Sequence, residues 1–200
     1  MRMVHTTVAG NKALSRGEMS NWYSSRTLGG GIYATTGIVT LVNSLLSSNV
    51  TCFTDRYWRT VVLFTNPPNG NCYGSLTDGG YNISSDGSFL FSANGSRINT
   101  DPLLGPLGNY GGPTPVLPLL EGSPAVDAAD QSSCPPTDQR GVPRPAGAGC
   151  DIGAFEGYLR LAPILTAEFT PIRTVTGEVA MLRFTLLNPN QDPLTQGERI

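Results

Sequence analysis

A short internal repeat constrains the fold of this chain more than any other feature. The segment 3–11, MVHTTVAGN, aligns with 41–49, LVNSLLSSN, at an offset of 38 residues, and the copies end in Asn11 and Asn49. Each copy is typical of a short strand, a corner, a second short strand and an Asn that tolerates a left-handed corner. Such units predict a solenoid, in which each coil covers its neighbour's core. The two copies alone also allow a β-sandwich.

Composition favours an all-β chain. The 200 residues include 24 Gly and 16 Pro, whereas Asp, Glu, Lys and Arg together make up 14%. Long amphipathic helices need charged outer faces and few chain breakers, so this composition argues against a helical bundle. The net charge of −2, without a basic run, argues against nucleic acid as a partner. No apolar stretch is long enough to span a bilayer.

Four cysteines bear on the cellular compartment, namely Cys52, Cys72, Cys134 and Cys150. They lack the CxxC clusters of a zinc site, and His5 is the only histidine, so disulfides are the favoured interpretation. Three connectivities are possible, and the local pairs Cys52–Cys72 and Cys134–Cys150 would each restrain a turn-rich loop. Oxidised cysteines predict an extracellular or cell-surface location.

The middle of the chain carries several motifs in order: DPLLGPL, GGPTP, GSPAVDA, DQRGVPRP and CDIGAFE. With the upstream GGGIY and the strand-to-Asn units, they resemble the C-terminal part of bacterial surface proteins with right-handed parallel β-helix repeats, the choice-of-anchor Q domain proteins. The likeness covers roughly residues 3–156 and departs from the family pattern at Asn109-Tyr110 and at Ala129. The resemblance implies the C-terminal end of a right-handed parallel β-helix with a loop-rich cap.

Charged residues are concentrated near the end of this region. Because the segment contains little regular structure, carboxylates that accept backbone N–H groups, with an arginine between them, would fix its path. We expect a structural cap that protects the open end of the strand stack. Asp130 and Arg144 lie in the same segment. The expected cap residues are Asp127, Asp138, Arg140, Asp151 and Glu156.

Two alternatives apply to the same carboxylates. Paired carboxylates serve as general acid and base in glycoside cleavage, and clustered Asp oxygens suit calcium. No D-x-D-x-D-G loop is present, and segments 3–11 and 29–49 contain no Asp, Glu, Lys or Arg for a catalytic strand face. We therefore expect no cofactor, with calcium as the alternative, and no catalytic residue. A polysaccharide lyase or glycoside hydrolase of the pectate-lyase-like β-helix type is the alternative to a structural or adhesive function.

Aromatic residues suggest a third option, in which the surface binds carbohydrate without turnover. This option needs a row of exposed rings, whereas the simpler interpretation is that the rings pack loops onto the stack. His5 aligns with Asn43 and is expected to satisfy a corner hydrogen bond. The candidate rings are Tyr33, Tyr57, Trp58, Tyr73 and Tyr81.

The composition changes after Glu156, where Gly and Pro become rarer. We expect β-helix coils and cap over 1–156, a linker over 157–166, and the first strands of an incomplete immunoglobulin-like β-sandwich over 167–200. The chain is then part of a longer secreted bacterial protein, with its signal peptide and anchor outside this sequence. Its expected partners are surface carbohydrate or a host or neighbouring surface.

Overall fold

The computed structural model describes residues 1–17, 30–55, 61–64, 70–160, 164–169 and 182–187. This part of the chain consists of strands and loops, apart from one 3₁₀ turn at Gln131–Ser133, and the predicted all-β class is confirmed. The strands are β1 (Arg2–Val4), β2 (Thr7–Ala9), β3 (Lys12–Gly17), β4 (Ile32–Val42), β5 (Leu45–Ser47), β6 (Val50–Asp55), β7 (Val61–Phe64), β8 (Cys72–Asp78), β9 (Ile83–Ser84), β10 (Ile164–Phe169) and β11 (Leu182–Leu187).

The first nine strands form three sheets of three strands each. Their orders are β1-β4-β8, β2-β5-β9 and β3-β6-β7. Every neighbouring pair is parallel except β6 and β7, which are antiparallel. β1, β2 and β3 lie in three different sheets, and β4, β5 and β6 join the same three sheets in the same order as their parallel neighbours.

The internal repeat sets the register of these sheets. Met3 lies opposite Leu41 in β1 and β4, and Val8 lies opposite Leu46 in β2 and β5. The same offset continues where Lys12 lies opposite Val50. The two copies therefore lie side by side along their whole length, as the alignment predicted.

Neighbouring residues of β5 point into different cores, because side chains alternate across a strand. Leu46 packs with Leu41, Cys72 and Phe91. Leu45 instead belongs to a second cluster, which also contains Ile83, Leu119, Ala125, Ala129, Cys150 and Ile152. The middle sheet is thus covered on both faces, and each fully buried Leu or Ile contributes about 1.5–3 kcal/mol.

The chain divides into two units, Met1–Tyr158 and Leu159–Ile200. In the second unit, β10 and β11 form an antiparallel pair. β10 begins within the expected linker 157–166. The immunoglobulin-like character of this unit remains a prediction. Among the described residues, we find no helix with the length and apolar content needed to cross a membrane.

Candidate functional site

The corners before the middle sheet repeat an uncommon backbone conformation. His5, Asn43 and Tyr81 have φ values of 48°, 49° and 56°, in the left-handed region that few residues other than Gly adopt. Gly95, with φ of 73°, is the next such residue along the chain, and a Cβ there would lie 2.4 Å from the Tyr81 ring. Only glycine therefore fits against Tyr81 at this corner.

The residues after these corners form a ladder of neutral side chains. The Thr6 amide donates to Ser44 Oγ at 3.3 Å, and the Ser44 amide donates to Asn82 Oδ1 at 2.9 Å. The Asn82 amide continues the ladder by donating to Ser96 Oγ at 3.0 Å. Each corner N–H is thus satisfied by a side chain of the next rung, where the strand ladder supplies no partner.

A second ladder contains the predicted repeat corners. The Asn11 amide donates to Asn49 Oδ1 at 3.0 Å, and the Asn49 amide donates to Asn71 Oδ1 at 3.0 Å. The side-chain amides of Asn11 and Asn49 bond the same oxygens at 2.9 Å. Asp86 Oδ2 ends the ladder by accepting from the Asn71 amide at 2.8 Å. We define Asn11, Asn49, Asn71 and Asp86 as the asparagine ladder.

The sequence analysis did not identify Asn71 or Asn82. Asn71 lies 22 residues after Asn49 rather than 38, which hides it from a search at one period. Asn82 does lie 38 residues after Ser44, and Ile83 lies opposite Leu45. The segment YNIS at 81–84 is therefore a third, shorter copy of the repeat, and the same offset would have revealed it.

His5 forms the corner hydrogen bonds expected of it. Its Nδ1 donates to the Asp151 carbonyl oxygen at 3.0 Å, because a carbonyl can only accept, and its Nε2 accepts from Asn43 Nδ2 at 2.9 Å. Burial, and then the charge of Arg144, lower the pKa of His5 to about 4. The imidazole is neutral at pH 7, and both of its nitrogens are engaged.

Asp138 is an acceptor for the backbone of its own loop. Oδ1 accepts from the amides of Arg140 at 2.7 Å and Val142 at 3.0 Å, and Oδ2 accepts from the Glu156 amide at 3.0 Å. Arg140 pairs with Asp138 Oδ2 at 2.7 Å and lies 3.5 Å from the centre of the Phe155 ring. Burial acts to raise the pKa of Asp138, but the bonds from Glu156 and Arg140 hold it below its ordinary 3.8.

Glu156 forms a buried ion pair with Arg144, a residue that the expected cap set omitted. Arg144 Nη1 lies 2.7 Å from Glu156 Oε2, and both side chains are 1% exposed. Glu156 also accepts from the amides of Ala146 and Asp151. Arg144 donates to the carbonyl oxygens of Asp151 and Gly153 at 2.9 and 2.7 Å. The pair therefore joins both ends of the segment 144–156.

Asp151 and Asp127 complete the network. Asp151 Oδ1 accepts from the Asp127 amide at 2.7 Å, and its Oδ2 accepts from the Gly157 amide. Asp127 Oδ1 accepts from the Gly149 amide at 2.8 Å. Burial raises the pKa of Asp151 to about 6, although its backbone hydrogen bonds oppose the change. The four carboxylates of the expected cap set thus each accept at least one backbone N–H.

We call the side chains of Asp127, Asp138, Asp151 and Glu156, with Arg140 and Arg144, the carboxylate network, and the segment 123–156 that contains them the loop. The loop lies against three successive rungs. The carbonyl of Asp151 binds His5, and Asn43 forms two hydrogen bonds with the backbone of Asp130, at 2.8 and 3.1 Å. Leu45 and Ile83 share a core cluster with residues of the loop. The described contacts therefore lie along the face of the middle sheet. That the same loop also closes an end of the stack remains a prediction.

The cysteines pair only in part as expected. Cys134 and Cys150 form a disulfide. Cys72 is a buried free thiol, so the predicted Cys52–Cys72 pairing is wrong. A disulfide would have to join two sheets, because Cys52 lies on β6 and Cys72 on β8. Cys72 points into the core beside Leu41, and burial raises its pKa to about 11.

The aromatic candidates separate into two groups. The rings of Tyr33 and Tyr73 stack with centroids 6.0 Å apart, and Tyr33 is 56% exposed. Tyr81 instead packs against the second core cluster. Tyr57 and Trp58 lie outside the described residues. The structure thus provides one aromatic pair, in which Tyr33 is exposed and Tyr73 half-buried, and one packing residue.

The described residues offer little for metal or acid–base chemistry. No group of three or more His, Cys, Asp or Glu side chains able to hold a metal ion occurs among them, and the calcium alternative remains untested. A cavity of about 390 Å³ lies between the corner at His5 and the loop. Its lining includes His5, Thr7, Asp138 and Gln139. Both Asp138 oxygens are already occupied by hydrogen bonds, so this cavity lacks a free acid–base pair in the described lining.

Comparisons of the chain with models of protein families, with curated proteins and with solved structures found no match. The resemblance to choice-of-anchor Q domain proteins therefore remains a prediction from the motifs themselves.

Proposed function

We propose that the first unit is a segment of a right-handed parallel β-helix from an extracellular bacterial surface protein, with a structural or adhesive rather than catalytic function. The observation that carries this proposal is the register, in which copies of one repeat lie on one another as parallel strands in three sheets. A stack of this kind makes an elongated scaffold, because each rung contacts mainly its neighbours.

The two side-chain ladders support rigidity of the scaffold. Asn49 and Asn71 are 2% and 0% exposed, and their amide groups connect successive rungs at the point where strands end. An unmade bond at such a buried position costs about 1–3 kcal/mol, so the corners resist local opening. A structural role follows from corners that are as well bonded as the strands.

The carboxylate network supports a non-catalytic function. A general acid or base must exchange a proton with a substrate, whereas Asp138, Asp151 and Glu156 accept hydrogen bonds from backbone amides. Asp138 and Glu156 also pair with arginines. These carboxylates hold the loop in place, which is the role that their bonds explain.

The Cys134–Cys150 disulfide supports a location in a non-reducing environment. The resemblance to bacterial surface proteins implies that this non-reducing environment is extracellular.

A turnover assay tests the functional half of the proposal. We expect no release of reducing ends from cellulose, xylan or pectin, and no unsaturated product from polygalacturonate. Turnover that Asp151→Asn or Glu156→Gln abolishes without changing the melting temperature would establish the polysaccharide lyase or hydrolase alternative. An experimental structure tests the architectural half, and a left-handed or open stack would contradict it.

A further inference from the structure

The outward face of the β1-β4-β8 sheet carries two stacked tyrosines. Tyr33 and Tyr73 lie opposite each other on β4 and β8. Ala34 and Cys72, next to them in sequence, are buried, so alternation places both tyrosines on the outer face. The stacked tyrosines form a ridge that runs across the strands, which we call the tyrosine pair.

The surroundings of the tyrosine pair are polar but carry little charge. Further along the same strands, Arg2, Thr40 and Thr77 occupy paired positions across the three strands. No carboxylate occurs at these paired outward positions, and neither phenol hydroxyl has a hydrogen-bond partner among the described residues. The face thus combines aromatic rings with phenol hydroxyls that no described residue binds.

We propose that this face binds a polysaccharide chain, whose sugar rings stack on the tyrosine pair while its hydroxyls bond the phenols and threonines. Tyrosine suits this task because it presents an apolar ring and a polar tip with little conformational entropy to lose. Adjacent strands lie about 4.8 Å apart, so a chain that crosses them meets one ring at each strand. The inference rests on the adhesive form of the proposed function and names its partner.

A protein partner fits the same face less well. Contiguous exposed apolar patches of several hundred Å² mark surfaces that dock a protein. On β4 the exposed large aliphatic side chain is Ile38, 62% exposed, which lies in the irregular stretch between Ala34 and Val39, and the paired row beyond it consists of Arg2, Thr40 and Thr77. The hydroxyl-rich surroundings favour a sugar.

Affinity electrophoresis of the full chain tests the proposal. The gels contain hydroxyethylcellulose, arabinoxylan, galactomannan or polygalacturonate, and retardation gives the dissociation constant. We expect retardation in at least one gel. The double variant Tyr33→Ala/Tyr73→Ala should weaken it at least about tenfold, equivalent to about 1.4 kcal/mol.

Tyr158 provides a matched control, because it is a tyrosine that is 50% exposed elsewhere in the described chain. Tyr158→Ala should leave retardation unchanged, and Tyr33→Phe should retain most of it. Absence of retardation in all four gels would overturn the inference. So would retardation that Arg2→Ala abolishes and the tyrosine variants do not, since that result indicates binding by charge alone.

Two further measurements separate other outcomes. The melting temperature of the double variant should stay close to that of the parent, because a large fall would show that the pair is structural and would overturn the inference. Gel filtration should show no Tyr33-dependent self-association, which would indicate a second copy as the occupant. Failure of binding leaves the non-catalytic proposal standing, whereas turnover in the assay above would remove that proposal without affecting retardation.

Discussion

The strand stack and the loop beside it satisfy the same kind of buried backbone donor with different chemistry. Between rungs the stack uses neutral acceptors, such as Asn49 and Asn71 in the asparagine ladder, and among the described residues carboxylates appear only at its edge, where Asp86 ends that ladder and Asp78 accepts the amides of Ser92 and Ala93. The loop uses ionised groups, Asp138, Asp151 and Glu156, together with two arginines. In a repeat, each rung presents one corner N–H to one acceptor, so the carbonyl oxygen of a neutral side chain is sufficient. In the loop, several amides converge on one point, and a carboxylate has enough lone pairs for all of them.

This difference has an energetic consequence. The neutral side chains of the ladders cost little desolvation free energy when their hydrogen bonds are made. The stability of the stack is therefore the sum of many small contributions. A buried charge that loses its partner is costly in free energy, so the stability of the loop depends on a few residues. The loop is therefore the part of the first unit in which single substitutions have the largest effect.

Arg144→Ala should cause the largest loss of stability. It leaves Glu156 buried without its partner, and breaking a buried ion pair costs about 3–5 kcal/mol. Urea unfolding measures the change in the free energy of unfolding. The exposed Arg2 is the control, since Arg2→Ala should change stability by less than about 0.5 kcal/mol. Equal effects of the two substitutions would show that the loop does not depend on its ions.

Cys150→Ser should come next, at about 3 kcal/mol, because it opens a loop with a sequence separation of 16 and alters a buried position. Thermal unfolding with and without dithiothreitol measures this effect. Reductant should lower the melting temperature of the parent and of Cys72→Ala alike, since Cys72 is a free thiol. Loss of the reductant effect in Cys72→Ala would instead indicate a disulfide at Cys72.

Asn71→Ala should cost about 1–3 kcal/mol by removing the oxygen that accepts two bonds from Asn49. The effect should appear in hydrogen exchange as faster exchange of the Asn49 amide, with the carboxylate network unchanged. Asn94→Ala is the control, because Asn94 is exposed and bonds only the Tyr81 hydroxyl through its side chain. Unchanged exchange at Asn49 would contradict the ladder.

The smallest effect is expected in the pH dependence. His5 has a pKa of about 4 when folded against 6.5 ordinarily, so acidification through this range protonates the unfolded chain first and lowers stability. Asp151 has a pKa of about 6 when folded against 3.8, so acidification protonates the folded chain first and raises stability. Between pH 4 and 6 the two contributions oppose each other, and the parent should show a shallow slope.

His5→Asn separates the two groups. Asparagine already occupies the same left-handed corner at Asn43, so the substitution should preserve the backbone. The variant should become more stable as the pH falls from 6 to 4, because only the Asp151 contribution remains in that window. The pKa values of Asp138 and Asp78 are lowered below the ordinary value of 3.8, so protonation of these carboxylates lowers stability at a pH below this window. A parent-like slope in His5→Asn would show that the contribution of His5 is absent.

Several features were predictable from local patterns. The repeat predicted the register of β1, β2 and β3 against later strands, because a constant offset between similar strands pairs them in parallel. The same offset predicted Asn11 and Asn49 as corners, but the left-handed residues are the ones before them, Gly10 and Ser48, and the two asparagines supply side chains of the asparagine ladder. The concentration of carboxylates in a loop rich in Gly and Pro predicted acceptors for backbone amides, since such a loop has no strand ladder to satisfy them.

Other features were not predictable in this way. Cys52 and Cys72 lie close in sequence, and nearness in sequence favoured a disulfide, but the chain passes from one sheet to another between them. Asn71 escaped detection because the intervening residues break the period. The sequence placed Arg144 in the charged segment but not among the cap residues, and only its burial beside Glu156 shows that it belongs to the same network.

The residue pattern by itself determined that this chain is β-rich, which segments are copies of one another and which loop must bind its own backbone, because these properties depend on neighbours in sequence or on a fixed period. Only the tertiary structure decided that the loop lies along the face of the middle sheet, that Cys72 faces a core and that Tyr33 meets Tyr73. Those contacts join residues whose separation follows no period, and they depend on where the chain turns between strands.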